Sequence, residues 1–353
     1  INKSVEGSVN VKFSAFPSVV GDLLSGVEGI LREPSGCFEQ TSMSSYPNIM
    51  VMDYMKTTGS DDSKILDKAA MLIDKGYKRL TTFETPEKGY EWFGATPGHE
   101  GLTAYGLMQF NDMKNVYDGV DKKMIERTAN WLLSKKDGKG GWTRNNKAYH
   151  NFGQISEEVM NGYIVYALSE AGYTGIDKEI DASYKTAMDK KDPYLLAMMA
   201  NTLYKIKDSR ADGVMDALLK TQKDDGSIAG ITHSITHSTG VSLIIETTSI
   251  SIMAMLKSGG KNNGAMNKAV QSLMKSRSGY GTFGNTQGTV LALKALTEYA
   301  KNSKKTAEDG TVEIYSDGTK IGEKTYKAGD QGTIEIEGLG KYFKEGKNNI
   351  KVK

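Results

Sequence analysis

The chain has 353 residues, enough for one large domain or two smaller ones, and its 45 basic and 43 acidic side chains nearly cancel to a net charge of +2. No stretch concentrates Lys and Arg among aromatic residues, and no run of eighteen apolar residues occurs, so neither nucleic acid, an anionic membrane surface nor a spanning anchor is implied. A single cysteine, Cys37, excludes an internal disulfide framework and singles out that one thiol for explanation.

No cleavable signal precedes Ile1, which reads as a fragment boundary. Residues 4–16 alternate polar and apolar side chains, as strands do. From Pro17 to about Lys301 apolar residues recur instead at three- and four-residue steps. This predicts twelve helices, over 18–32, 47–57, 62–79, 98–113, 122–135, 156–170, 177–188, 192–206, 209–221, 242–257, 263–275 and 286–301. Their character alternates. Ile65, Ala69, Leu72 and Ile73, like Ile125, Ala129, Leu132 and Leu133, form one-sided stripes, whereas Ile49 to Met52 and Tyr194 to Met199 are apolar nearly all round. An all-round apolar helix is buried and a striped one covers it. The alternation predicts an α/α toroid of about six hairpins, with parallel inner helices and outer helices returning around them. The 17 methionines read as core packing.

Glycine-rich clusters recur at Lys88 to Gly94, Gly140-Gly141-Trp142, Asp225 to Ile228 and Gly279 to Gly284, and read as tight connectors. From about Thr306 the pattern returns to strands: 311–315, a turn at Ser316-Asp317-Gly318, then 332–336 and 348–352. The expected organisation is a mainly α toroid over 17–303, inserted into a small β-sandwich formed by 1–16 and 304–353.

Chemistry concentrates in Pro34-Ser35-Gly36-Cys37-Phe38-Glu39-Gln40-Thr41, placed in the loop before the first inner helix. Two residues separate Cys37 from Gln40, so a tight turn brings the thiol against the side-chain carboxamide. The plainer reading of a lone cysteine is a small buried hydrophobe. Loops entering inner helices share one rim. The rim therefore gathers this motif with His99, Glu100, His150, His233, His237 and Gln287. Helix N-termini there favour a leaving thiolate and an oxyanion. Glu39 is expected to accept bonds from loop amides. His233 and His237, four apart, could join Cys37 and Glu39 around zinc. However, Ser238-Thr239-Gly240 sets them in a flexible loop, and no metal or cofactor is assigned.

The motif resembles the Gly-Cys-x-Glu-Gln thioester motif of the alpha-2-macroglobulin and complement family. Downstream, Pro47-Asn48 is similar to that family's helix start, Leu102-Thr103-Ala104-Tyr105 to its Leu-Thr-Ala-aromatic signature, and Glu246-Thr247-Thr248-Ser249 to Glu-Ala-Thr-Ser. Gly279-Tyr280-Gly281 with Thr286-Gln287 is similar to its closing segment. Phe38 stands where animal members usually carry glycine, which looks closer to bacterial-type members. The resemblance implies a Cys37–Gln40 thioester formed with loss of ammonia, and flanking strands that are CUB-like. It implies His150 as the acyl-transfer histidine. It also implies a single-use covalent trap rather than a turnover enzyme, acting outside the cell, at its surface or in a periplasm. The expected partners are a target protease or surface amines and hydroxyls, and other domains of a parent protein. Competing readings are a toroid enzyme of prenyltransferase, cyclase or lyase type, although Asp61-Asp62 and Asp224-Asp225 look like solvated turns, and a binding module without a formed thioester.

Overall fold

A computed structural model of the chain describes residues 9–15, 26–60, 62–145, 152–302, 308–327 and 334–353. The chain divides into two compact units, Gly26–Lys301 and the two chain ends together. Among the described residues eleven α-helices form: α1 (Phe38–Thr58), α2 (Ser63–Thr81), α3 (Glu100–Met113), α4 (Lys122–Ser134), α5 (Glu157–Glu170), α6 (Asp177–Lys190), α7 (Pro193–Lys205), α8 (Ala211–Leu219), α9 (Gly240–Lys257), α10 (Asn263–Lys275) and α11 (Thr286–Asn302).

The odd-numbered helices are buried on nearly every face. In α7, residues from Pro193 to Leu203 are all buried, while α2 buries only Ala69, Leu72, Ile73, Gly76 and Leu80. Each large apolar side chain so buried contributes roughly 1.5–3 kcal/mol, so the inner helices hold most of the stabilising area. Consecutive inner helices α1, α3, α5, α7 and α9 pack side by side, each also touching an outer neighbour. Helix α11 closes the ring, its Lys294 bonded to Asp112 of α3 and its Lys301 to Asp53 of α1. This is an α/α toroid. Helix α9 has the length and apolarity to cross a bilayer, but two thirds of its window (67%) is buried and it serves as an inner helix.

Caps explain where the helices start. Asp62, Asp121, Ser156 and Asp192 each accept a first-turn backbone N–H of α2, α4, α5 and α7, and Pro193 follows its cap at the first helical position. Two predicted boundaries fail. Of the expected first helix, 18–25 lies outside the described residues, and Val27–Ile30 is a short 3₁₀ turn leading to extended backbone at Leu31. Helix α1 starts nine residues before the predicted Pro47 and runs through that proline. Asn48 shows why the chain tolerates this. Its carboxamide pairs with both backbone groups of Arg32, at 2.9 Å each, and its Nδ2 also reaches the Ser44 carbonyl, so the early turns are fastened from outside.

The glycine-rich clusters are more than connectors. After an outer helix the chain folds back through the same bond four times: Thr85 N–H to Gly89, Asp137 to Gly141, Lys223 to Ser227 and Ser278 to Thr282. Each fold buries one large side chain, respectively Tyr90, Trp142, Ile228 and Phe283. In three of them a threonine of the next inner helix clasps that residue's backbone: Thr103 on Tyr90, Thr248 on Ile228 and Thr289 on Phe283.

In the unit made by the chain ends, β1 (Phe13–Ala15) pairs antiparallel with β4 (Ile334–Ile336), while β2 (Gly310–Ser316) lies between β3 (Thr319–Tyr326) and β5 (Ile350–Val352). The turn between β2 and β3 places Asp317 and Gly318 at positive φ, as a tight hairpin demands. Ile314, Ile321 and Leu339 form its small core, with Val11, Phe13, Ile336 and Phe343 against them. The expected early strand over 4–16 is seen at Phe13–Ala15, its first residues lying outside the described set. Strand β3 was not expected, because Gly322, Glu323 and two lysines dilute its alternation.

Candidate functional site

The Cys37 motif is the start of α1 rather than a loop before it. Cys37 is the N-cap, with extended backbone, and Gln40 is the third helical residue. The two form a reciprocal capping box. The Cys37 side chain faces the Gln40 backbone N–H, while the Gln40 Oε1 accepts the Cys37 N–H at 3.2 Å. Cys37 is buried and Gln40 exposed. Gly36 makes the fold-back possible. Its φ is +80°, and a Cβ there would stand 2.0 Å from Gln40 Oε1 and 2.8 Å from Gln40 Cδ. The Gly36 carbonyl is held by Arg79 from α2, Nε at 3.0 Å and Nη2 at 2.5 Å, and by the Thr41 hydroxyl at 3.2 Å.

Behind the motif lies an aromatic wall. The Phe38 N–H donates to the Trp92 carbonyl at 2.9 Å, and the fully buried Phe38 ring packs on Tyr90 (4.9 Å between centroids) and edge-on to Phe83. Helix α3 makes room for that ring at Gly106, where a Cβ would lie 2.8 Å from Phe38 Cζ. Glu39 is buried and accepts the Trp92 indole N–H at 2.9 Å.

A four-residue turn that folds the Gln40 carboxamide back onto the Cys37 backbone N–H, walled by aromatic rings, accords with the resemblance drawn from the motif. The chain matches the family described as the A-macroglobulin TED domain over residues 13–299. It belongs to that family. Among relatives it is 25% identical over 336 residues to thioester-containing protein 1 allele S1 of Anopheles gambiae, covering 91% of this chain and 24% of that protein. It is 26% identical over 334 residues to allele R1 (89% and 24%), and 26% identical over 340 residues to ovostatin of Gallus gallus (89% and 23%). The chain thus spans about a quarter of the length of the curated relatives it matches.

The other rim residues of this TED domain fall into separate groups. His99 stands at the rim end of α3 but is not exposed there. It is wholly buried, caps α3 through Nδ1, packs against Trp92 (4.8 Å), and burial lowers its pKa to about 3, so it stays neutral. Glu100 is buried too. Burial raises its pKa, against the counter-pull of the Asn145 N–H (3.0 Å) and Arg144 (2.8 Å) that it anchors. His150 lies outside the described residues. His233 and His237 stand with ring centroids 5.0 Å apart. Their loop is closed by backbone bonds, with Ser234 N–H to the Ser238 carbonyl at 3.1 Å and His237 N–H to the Ser234 carbonyl at 2.9 Å. His233 Nε2 accepts the Ser156 N–H at 3.4 Å, which leaves the proton on Nδ1, facing the Ser234 carbonyl. No group of three or more metal-type side chains gathers among the described residues. Gln287 is buried and accepts the Tyr105 hydroxyl at 2.5 Å.

Sequence reasoning missed Arg79, Trp92 and Gly106 around the TED motif. Trp92 sits in the Gly-aromatic cluster that was noted, but nothing in one sequence couples it to Glu39. Arg79 falls on the exposed side of a striped helix and carries no signal of its own.

Proposed function

We propose that the domain is a covalent trap whose reactive bond is a thioester between Cys37 and Gln40. The Cys37 sulfur displaces the Gln40 nitrogen as ammonia, leaving an acyl-sulfur bond. A target amine or hydroxyl then takes the acyl group, forming an amide or ester at Gln40 and returning the thiol. The domain does this once, so it is a reagent and not a catalyst. The observation that carries the reading is the capping box over Gly36, which turns the Gln40 carboxamide back to the residue that bears the sulfur. The start of α1 supports it, because the positive end of a helix steadies the departing thiolate. His150 is proposed as the group that takes the acyl chain before a hydroxyl does, a neutral imidazole being a competent nucleophile. Family membership favours the trap over a prenyltransferase, cyclase or lyase.

The proposal extends to the parent protein: an extracellular, surface or periplasmic inhibitor or opsonin, with target proteases or surface amines and hydroxyls bound covalently, and with the chain ends as a CUB-like domain. The test is the intact mass of fresh protein before and after methylamine, with a thiol titration and a Cys37→Ala control. A mass short by one ammonia, with methylamine added at Gln40 as a thiol appears, supports the trap. A full mass with a freely titrating Cys37 refutes it in favour of a binding module.

A further inference from the structure

Glu246 lies two turns into α9, fully buried, and neither carboxylate oxygen reaches full hydrogen-bond geometry with a described residue, although the Ser238, Ser234 and Asn285 side chains approach closely enough to favour its charged form. A charge in that position is expensive, so the group holds its proton: burial raises its pKa to about 7. Ser238, Ser234 and Asn285 face it and pull the value partly back. The titratable groups that sense its charge from the packed helices are Tyr105 of α3, Tyr163 of α5 and Tyr194 of α7, all phenols held protonated by burial. Among the described residues no cation contributes to its shift.

The three facing side chains belong to the rim. Ser234 Oγ accepts the Thr236 and Ser238 N–H groups at 3.3 and 3.2 Å, which closes the turn carrying His237. Asn285 Nδ2 donates to Ser238 Oγ at 2.7 Å, while its Oδ1 accepts the Gly288 N–H at the head of α11. In the same turn, Gln287 accepts the Tyr105 hydroxyl. The Tyr105 ring packs on Tyr46 of α1 (5.8 Å), and Tyr105 senses the charge of Glu39 as well as that of Glu246. A continuous set of contacts thus runs from Glu246 through the head of α11 to α1, the helix that starts at Cys37.

We propose that Glu246 is a positioning residue: protonated, it holds the Ser234–Ser238 turn and the head of α11 in the arrangement that keeps the first turn of α1 closed, and ionised, it loosens both and exposes the Cys37–Gln40 bond to water. The ionised carboxylate needs donors, and the nearest are the hydroxyls and amide that now tie the turn. The inference rests on the thioester reading.

The experiment compares wild type with Glu246→Gln, which keeps the shape and stays neutral. The rate of thiol release in water is followed from pH 5 to 9 without added amine, each protein being checked for folding by circular dichroism. The expected ratio of wild type to variant is near one at pH 5 and climbs several-fold with a midpoint near pH 7, because hydroxide acts equally on both. The same curve persists in a His237→Asn background, which removes the neighbouring imidazole. A flat ratio, or a rise abolished by His237→Asn, overturns the proposal. If the starting mass shows that no thioester formed, that failure belongs to the earlier reading. The switch is then read by amide hydrogen exchange of peptides spanning 234–238 and 286–290, where equal protection in wild type and variant at pH 8.5 overturns it. Should Glu246→Gln not fold, the infrared band of the protonated carboxyl in wild type must fade with a midpoint near pH 7, and its absence at pH 5 refutes the buried acid.

Discussion

Replacing Gly36 with alanine tests whether the fold-back of Gln40 makes the bond. Two costs can be separated. A residue with a side chain at φ +80° loses roughly 1–2 kcal/mol in the left-handed region. The new Cβ also stands 2.0 Å from Gln40 Oε1, so the carboxamide must swing away and the Cys37 N–H bond is lost, at roughly 0.5–1.5 kcal/mol. Together these predict a destabilisation of about 2–3 kcal/mol and a melting temperature lower by several degrees. Gly59→Ala is the control. It has φ +68° with nothing within 4 Å of the added atom, so it meets the backbone cost without the clash. Intact mass then decides. Gly59→Ala should keep the ammonia-loss mass and react with methylamine, whereas Gly36→Ala should show full mass and a titratable thiol. Ammonia loss in Gly36→Ala equal to wild type would refute the assignment of the fold-back as the bond-forming geometry.

Three further outcomes are expected. Glu246 has a folded pKa near 7 against an ordinary 4.5, so between these values the folded state holds a proton that the unfolded chain has released, and stability falls as pH rises through that window. At about 1.4 kcal/mol per pH unit this amounts to an order-of-magnitude loss of 3 kcal/mol by pH 8, and Glu246→Gln should flatten the slope in urea melts at pH 4.5 and 8. Phe38→Ala empties a fully buried site between Tyr90, Phe83 and Gly106, and should cost roughly 3–5 kcal/mol by denaturant unfolding. Lys294→Met leaves Asp112, which also accepts the Tyr46 hydroxyl, without its ammonium partner; the predicted loss is about 3–5 kcal/mol, and Asp112→Asn should recover part of it in the double variant.

The toroid was legible because a buried helix and a covering helix have different periodicities, and α1, α2, α4 and α7 each declare theirs in sequence. What misled was local chemistry. Pro47 reads as a helix start because proline suits the first turn, yet here Asn48 fastens the preceding turns to Arg32, sixteen residues upstream, and the helix begins at Phe38. The same limit hid the role of Glu39, whose partner Trp92 lies 53 residues away. His99 and Glu100 were placed on the right end of the right helix, but burial, which no single-sequence pattern reports for a polar residue, turned both into supports.

Phe38 shows how the motif accommodates a large, fully buried side chain beside Cys37. Cys37 and Gln40 need only a defined backbone at the helix start, and of the two residues between them Phe38 points away from the pair, into the α2–α3 side. A glycine there leaves that space to others, while phenylalanine fills it provided the opposite helix gives way, which Gly106 does. The substitution therefore changes what anchors the motif rather than what the motif brings together. A ring packed on Tyr90 and Phe83, with its own N–H bonded to Trp92, fixes the first turn of α1 to the chain that covers the rim. Here the residue that least resembles the motif is the one that ties Cys37 and Gln40 to the fold.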